Sequence, residues 1–141
     1  MANVIPYSFR GELFTGTHNF ASGGDSFKLA LYTANPYSTA STAYSASSEV
    51  SASGTAYTTT GNVLTGNAVA SSTLVASCDF DPSVWSSATF TAAYGAIYND
   101  DKSDKLCVVL DFSGNKTATA GTFKVSFPSP STPADAIISM A

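Results

Sequence analysis

Short segments in which apolar and polar residues alternate recur along this chain, and they constrain its fold more than any other feature of the sequence. In FKLALYT (27–33), Phe27, Leu29 and Leu31 occupy every second position. STLVASCDF (72–80) repeats the pattern, with Leu74, Ala76, Cys78 and Phe80 on one side. A period of two residues is typical of a strand with one buried face. We therefore expect half-buried β-strands in both segments.

The second half of the chain contains four more segments with strand character. They are ATFTAAYGAIY (88–98), KLCVVLDF (105–112), TFKVSF (122–127) and AIISM (136–140). The alternation of the first is lost around Ala92 and Ala93, which predicts a bulge near Gly95. Turn residues in FSGNKTATAG (112–121) and PSPSTP (128–133) predict connections between strands.

Helix signals are confined to IPYSFRGELFTG (5–16). Phe9 and Leu13 have i,i+4 spacing, Pro6 can open a first turn and Gly16 can close the last one. Gly11 weakens the pattern, so we expect one or two helical turns at most. Together these signals predict a mainly β chain, folded as one β-sandwich domain over residues 1–141, with one short N-terminal helix. A jelly-roll-like arrangement is one form of this class.

Two segments have no regular pattern. Residues 35–61 form a nearly uncharged Ser/Thr/Ala/Tyr-rich excursion, which is either a disordered linker or an ordered loop. Tyr37, Tyr44 and Tyr57 favour the ordered alternative, because a linker has little use for such rings. Residues 1–8 form a mostly apolar N-terminal arm. We expect this arm or the excursion to pack on an adjacent subunit.

Hydroxyl groups rather than charges supply most of the polar surface. The chain contains 22 Ser and 17 Thr, and only 11% of its residues are charged, well below the usual value of about a quarter. Such a surface suits a protein covered by neighbours, or a robust extracellular or virion module. The net charge of −4 gives little counterion release on phosphates, so nucleic acid is not a predicted partner.

Targeting signals are not evident in the sequence. No window approaches about 18 uninterrupted apolar residues, so we expect no membrane span. MANVIPYSFRGEL (1–13) has neither a basic region nor a continuous apolar core, so we expect no signal peptide. Cys78 and Cys107 are either two buried thiols or one disulfide, and the lack of a secretory signal favours reduced thiols. Their spacing from the single histidine fits no zinc motif.

The densest cluster of charge is NDDKSD (99–104). Asp100, Asp101 and Asp104 suggest a calcium loop, but an EF-hand pattern starting at Asn99 would have Asp104 at position 6 and Leu110 at position 12. Glycine and glutamate are required there. We therefore interpret NDDKSD as a turn between strands, with an irregular calcium loop as the alternative.

Catalytic interpretations find little support in the sequence. His18 lies among turn residues, and no G-x-S-x-G motif marks a nucleophile, so we interpret this histidine as pinning a turn. Asp79 and Asp81 flank Phe80 and would face one side of an extended segment. A glycosidase pair would need them in an aromatic-lined cleft, and we interpret the segment as the start of a turn. We predict no catalytic, cofactor-binding or metal-binding residues.

Aromatic residues raise the possibility of a sugar-binding platform. A β-sandwich can host a carbohydrate-binding module if it exposes coplanar rings. The candidates for such rings are Tyr37, Tyr44, Tyr57 and Trp85. A carbohydrate- or surface-binding module is therefore an alternative function.

Five segments, which together cover most of the chain, carry a further signal. They are SFRGELFTGTHNF (8–20), DSFKLALYT (25–33), AYSASSEVSASGTAYTTTG (43–61), WSSATFTAAYGAIYNDDKSDKLCVVLDF (85–112) and TFKVSFP (122–128). In their pattern and order these segments resemble a family of small virion structural proteins of tailed bacteriophages.

The resemblance implies a non-enzymatic, β-rich protein located on the virion and assembled in the host cytoplasm. Within that class we expect a capsid decoration, or cement, protein that stabilises the head shell. Its partner would be the major capsid protein or another virion protein, and it would form a homo-oligomer, most simply a trimer. A tail or neck accessory protein is the competing placement. The resemblance supplies no functional residues.

Overall fold

The described residues contain seven strands and one α-helix. The computed structural model describes residues 3–71, 74–128 and 136–140. The helix is α1 (Tyr7–Phe14). The strands are β1 (Phe27–Tyr32), β2 (Asn62–Val63), β3 (Ala68–Ser71), β4 (Ala76–Asp79), β5 (Ser83–Asn99), β6 (Lys105–Val125) and β7 (Ile138–Met140). The predicted mainly β class with one short N-terminal helix is confirmed.

The strands form two antiparallel sheets. The first has the order β2-β1-β5-β6 and the second the order β3-β4-β7. One continuous cluster of buried residues joins them, with Phe27, Leu29 and Leu31 from the first sheet and Cys78 and Ile138 from the second. The alternation seen in the sequence thus directs side chains into a core shared by both sheets, as in a β-sandwich.

The first sheet is buried on both faces. Five of the six side chains of β1 are fully buried, and a second cluster containing Ala30, Tyr32 and Tyr98 lies on the face opposite the main core. Tyr37 and Tyr44 of the excursion 35–61 cover this cluster. The prediction of a half-buried strand at 27–33 is therefore wrong, because the excursion is ordered and covers the second face.

The β5–β6 hairpin is longer than the sequence predicts. Residues 105–112 and 122–127 belong to one strand, β6, so the connection predicted at 112–121 is wrong. Ser113 and Gly114 have φ values of 57° and 108°, and they bend the strand without ending it. Ala92 pairs with Lys116 and Tyr94 with Asp111, so Ala93 of β5 lies opposite residues 112–115 of β6. The bulge predicted near Gly95 therefore lies at Ala93, and its extra residues are in β6.

The N-terminal segment lies against its own domain. Val4 and Val109 exchange two backbone hydrogen bonds, of 2.9 and 2.8 Å, and Pro6 is buried. Helix α1 begins after Pro6 and ends near Gly16, whose φ is 66°. The predicted helix is confirmed. Residues 3–8 pack on β6 and on Thr39 of the same chain, and residues 1 and 2 lie outside the described residues. The expected contact of this arm or of the excursion with an adjacent subunit stays a prediction.

Two predicted segments fall partly outside the described residues. Of the segment 72–80, residues 76–79 form β4, and Ser72 and Thr73 are not described. Leu74 precedes the strand and is 81% exposed, so its predicted place on the buried side is wrong. Of the connection 128–133, only Pro128 is described.

Candidate functional site

The charged NDDKSD segment forms the tight connection of the β5–β6 hairpin. Asp100–Lys102 is a single 3₁₀ turn, and the Asn99 side chain caps it by accepting a hydrogen bond of 3.1 Å from the Asp101 backbone N–H. Ser103 and Asp104 then adopt left-handed backbone conformations, with φ of 57° and 56°. Polar residues of this type tolerate that region better than most. The interpretation of this segment as a turn is confirmed.

Two of the three aspartates of the turn are engaged by protein groups. Asp100 forms an ion pair of 3.0 Å with Lys28, and Asp101 accepts a hydrogen bond of 2.7 Å from the backbone N–H of Ser26. Within residues 3–71, 74–128 and 136–140, no group of three or more His, Cys, Asp or Glu side chains is placed to hold a metal ion. The turn carboxylates thus tie the hairpin end to the start of β1.

A buried polar network lies beneath this turn. We call it the His18 network; it consists of Glu12, His18, Asp25, Asn99 and Lys105. His18 Nε2 lies 2.6 Å from Glu12 Oε2 and Nδ1 lies 2.9 Å from Asn99 Nδ2. Asn99 also donates to Asp25 Oδ2 at 2.8 Å, and Lys105 donates to Glu12 Oε1 at 2.8 Å. The network joins helix α1, the loop before β1 and both strands of the hairpin.

Hydrogen-bond geometry fixes the proton of His18. Asn99 uses its carbonyl oxygen to accept from Asp101, so its amide nitrogen, which can only donate, faces His18 Nδ1. Nδ1 must then be the acceptor, which assigns the proton to Nε2 and directs it at the Glu12 carboxylate. The expectation that His18 pins a turn is too narrow, because this side chain links α1 to β5.

The two carboxylates of the network are stabilised in their charged form. Burial raises the pKa of Glu12, but the hydrogen bonds from Lys105 and His18 and the charge of Lys105 outweigh it, and the pKa lies below its ordinary value of 4.5. Burial likewise opposes ionisation of Asp25, yet hydrogen bonds from the Asn19 backbone and from Asn99, with the charge of Lys102, lower its pKa below 3.8. These interactions make the network a source of stability at neutral pH.

Cys107, His18 and Glu12 superficially resemble the nucleophile, base and acid of a catalytic triad. Cys107 Sγ lies 4.0 Å from His18 Nδ1, but both side chains are inaccessible to solvent. Burial raises the pKa of Cys107 well above its ordinary value and that of Cys78 to about 12. A thiol that stays protonated and has no access to substrate is a poor nucleophile. The prediction of two buried, unpaired cysteines is confirmed.

A second polar cluster centres on Glu49, which sequence reasoning missed. Its carboxylate accepts hydrogen bonds from Tyr44 (2.6 Å), Tyr57 (2.7 Å) and the Thr60 backbone N–H (2.7 Å). Burial, reinforced by these bonds, raises the pKa of both tyrosines. The sequence feature that could have indicated this cluster is a single carboxylate in a tyrosine-rich, otherwise uncharged segment. The Glu49 carboxylate therefore ties separate parts of the excursion 35–61 together, and backbone hydrogen bonds, such as that from the Val50 N–H to Leu31 (2.9 Å), hold the excursion on the first sheet.

The proposed sugar-binding rings lie inside the protein. Tyr37, Tyr57 and Trp85 are buried, and Tyr44 stacks on Tyr98 with 4.8 Å between ring centroids. The Trp85 ring packs among Tyr57, Phe90 and Phe123. An exposed platform built from these four residues is therefore contradicted by the structure.

The paired aspartates do not share one environment. Asp79 lies within β4 and is partly buried, whereas Asp81 is exposed beyond the end of that strand. The Asp81 backbone N–H donates to Thr65 at 2.8 Å, and its carboxylate occupies the space beside Gly66. Asp81 and Pro82 form a short irregular connection between β4 and β5, and Ser83 already belongs to β5, so the predicted turn at 81–83 is wrong.

One surface of the second sheet exposes a cluster of apolar side chains. A shallow groove of about 120 Å³ is lined by Leu13, Val69, Ala76, Ile138 and Met140. Val69 and Met140 are each 57% exposed, and Phe14, which follows Leu13 in sequence, and Leu74, two residues before Ala76, are 95% and 81% exposed. We call these residues the apolar face. Sequence patterns missed it, because β3 and α1 lack a clear periodicity.

Comparisons with known proteins add no relationship to this picture. No protein-family model, curated protein sequence or solved structure matches the chain. The described residues contain no helix that is long and apolar enough to cross a membrane. The functional interpretation therefore depends on the surfaces and networks of the chain itself and on the resemblance noted in its sequence.

Proposed function

We propose that this chain is a non-enzymatic structural protein of a tailed-phage virion, and specifically a decoration protein that binds and stabilises the head shell. The observation that carries the proposal is the apolar face. Monomeric proteins rarely expose contiguous apolar surface of this kind, and where they do, the surface usually binds another protein or a membrane. A protein built to be covered by its neighbours accounts for this exposure.

The charge distribution supports the same proposal. The carboxylates of Glu12, Asp25 and Glu49 are consumed in internal networks, so hydroxyl groups dominate the remaining polar surface. A decoration protein stabilises its host by binding the mature shell more tightly than competing states. Such binding requires a complementary surface of about 800 Å² on each partner rather than reactive groups.

Self-association through the apolar face is the simplest use of that surface. We propose a trimer in which the face lies at the contacts between subunits. The remaining surface would bind the major capsid protein or another virion protein. A tail or neck position remains the competing placement, since it would use the same apolar face.

Light scattering combined with a shell-binding assay tests the proposal. We expect the wild-type chain to have the mass of a trimer and to co-sediment with empty expanded shells of the encoding phage. Val69→Asp and Leu74→Asp should each reduce both properties, whereas Val84→Asp, an exposed change on the hairpin, should preserve the trimer. A chain that does not bind shells, with or without these substitutions, would overturn the decoration assignment.

Localisation on the particle separates the two placements. Gold-labelled antibody against the chain should decorate the heads of intact particles in electron micrographs. Label confined to the tail or neck would reject the decoration role and favour the accessory alternative.

A further inference from the structure

The outer edge of β6 is only partly covered. Strand β6 is the last strand of the first sheet. Its beginning is covered, since Ala43 bridges to Lys105 and Val4 bridges to Val109. In the described part of the chain, no strand pairs with the outer edge from Leu110 to Val125. An exposed strand edge presents backbone donors and acceptors that can pair with another extended chain.

An open groove runs along this uncovered part of β6. Its volume is about 580 Å³, and its apolar lining includes Phe112, Phe123, Phe127 and Ile137. Thr117 and Thr122 line it with hydroxyl groups, Lys116 and Lys124 with ammonium groups and Asp111 with one carboxylate. The groove therefore combines three features: a free strand edge, apolar pockets and positive charge.

The two lysines of this region have no ion-pair partner among the described residues. Residues 112–128 contain Lys116 and Lys124 and no Asp or Glu, and Asp111, directly before them, is the one acidic residue in the lining of the groove. The other three lysines are engaged in ion pairs: Lys28 with Asp100, Lys102 with Asp25 and Lys105 with Glu12. No carboxylate of the described residues lies within ion-pair distance of Lys116 or Lys124.

We propose that the β6 edge binds an extended, acidic segment of a neighbouring protein, which adds to the first sheet as a further strand. Backbone hydrogen bonds along β6 would supply affinity, and alternate apolar side chains would enter the groove beside Phe112 and Phe127. Carboxylates of the segment would pair with Lys116 and Lys124, which would select its charge and orientation. Two lysines at one strand edge fit such a segment better than a compact anion, because eight positions separate them along the strand.

This inference relies on the proposed function only for the source of the segment, which would be an extended arm of a neighbouring particle subunit. The strand addition itself is a property of the isolated chain. It is therefore testable without particles, and its failure would leave the shell-binding assay unaffected.

The test uses the full chain and three fluorescein-labelled heptapeptides. The first alternates Glu with Val, the second alternates Lys with Val, and the third repeats the first with alternate backbone nitrogens methylated. Fluorescence anisotropy should show saturable binding of the first peptide alone. Binding should weaken by about ten-fold or more between low and high salt, because exposed ion pairs are screened.

Charge substitutions locate the site. Lys116→Glu and Lys124→Glu should each weaken binding of the Glu/Val peptide by about ten-fold, whereas Arg10→Glu makes the same charge change on α1 and should change it less than about two-fold. Circular dichroism and melting curves confirm that each variant is folded. Equal binding of the acidic and basic peptides, or unchanged binding by Lys116→Glu and Lys124→Glu, would overturn the proposal.

The methylated peptide tests backbone pairing without altering the protein. It retains every side chain and charge but cannot donate the hydrogen bonds of a strand. Undiminished binding of this peptide would reject strand addition and leave a purely electrostatic contact.

Discussion

The two ends of the β5–β6 hairpin are built from the same pair of strands but differ in how their polar groups are satisfied. At the turn end, near Asn99, each lysine has a carboxylate partner and the strands are covered on both faces. At the open end, Lys116 and Lys124 have no ion-pair partner among the described residues, Asp111 is the one acidic residue in the groove lining, and no described strand pairs with the outer strand edge. The comparison indicates that one end maintains the fold and the other is available to partners.

The difference follows from covering segments rather than from the strands themselves. Three segments pack near the turn end: helix α1, the loop containing His18 and part of the excursion 35–61. Glu12 links α1 to His18, and Glu49 binds Tyr44 within the excursion. The excursion also reaches the open end, where Tyr57 packs against Trp85 and Phe90, but among the described residues no strand pairs with the outer edge of β6 there. Substitutions in the His18 network should therefore affect stability, and those at exposed positions of the open end, such as Lys116 and Lys124, should affect binding.

Core truncation should give the largest contrast between the two ends. Ile97 is fully buried near the turn, and Ile97→Ala should lower the free energy of unfolding by about 2–5 kcal/mol through lost burial and a residual cavity. Val84 lies at the open end and is partly exposed, so Val84→Ala should cost about 0.5 kcal/mol or less. Urea denaturation measures both values; equal costs would contradict the distinction.

Removal of the Asn99 side chain should have the next largest effect. Asn99→Ala removes the hydrogen-bond partner of His18 Nδ1 and of the Asp101 N–H, and one of the two donors to Asp25 Oδ2, at a cost of about 3 kcal/mol. At the open end, Thr117→Ala removes only the exposed contact with Thr91, of 2.8 Å, and should cost about 0.5 kcal/mol. Thermal unfolding of both variants provides the comparison, and a cost for Asn99→Ala no greater than that of Thr117→Ala would argue against the His18 network.

Acid should weaken the turn end selectively. The pKa values of Glu12 and Asp25 are lowered in the folded state, so the unfolded chain binds more protons and stability falls as pH decreases. Their contribution is complete above the ordinary values of 4.5 and 3.8 and is lost as pH falls through the lower folded values. Urea denaturation between about pH 7 and pH 2 should show this slope.

Glu12→Gln should flatten that acid slope, because it removes one of the two carboxylates. Lys124→Gln, at the open end, should leave it unchanged. A slope that is identical in wild type and Glu12→Gln would show that the His18 network does not contribute to acid sensitivity.

A backbone substitution at the bend of β6 should have the smallest effect. Gly114 has a φ of 108°, and no atom would contact an added Cβ, so Gly114→Ala should cost about 1 kcal/mol through backbone strain alone. Gly121→Ala is the matched control in the same strand, since its Cβ would make an ordinary contact of 3.6 Å without strain. Equal melting temperatures for the two variants would show that the bend tolerates other conformations.

The sequence predicts the elements of the fold better than their extent. Alternation identifies β1 and the buried side of β4 because it depends on local geometry alone. The same local information misplaced a turn at 112–121. Ser113 and Gly114 have turn chemistry, but pairing with the long strand β5 continues past them, and tertiary contacts overrule local preference there.

The polar networks could not be predicted from spacing. Glu12, His18 and Asn99 meet across more than 80 positions of sequence, so no motif signals their contact. Aromatic content was visible, but its burial depended on the excursion 35–61, which covers Tyr32 and Tyr98. The apolar face was equally hidden, because its members come from α1, β3, β4 and β7.

The composition of purified particles tests the central claim most directly. Quantitative mass spectrometry of the phage that encodes this chain should detect the protein at a fixed ratio to the major capsid protein, and the ratio should persist after washing with high salt. Absence of the chain from intact, infectious particles would contradict a virion role, whatever its oligomeric state in solution.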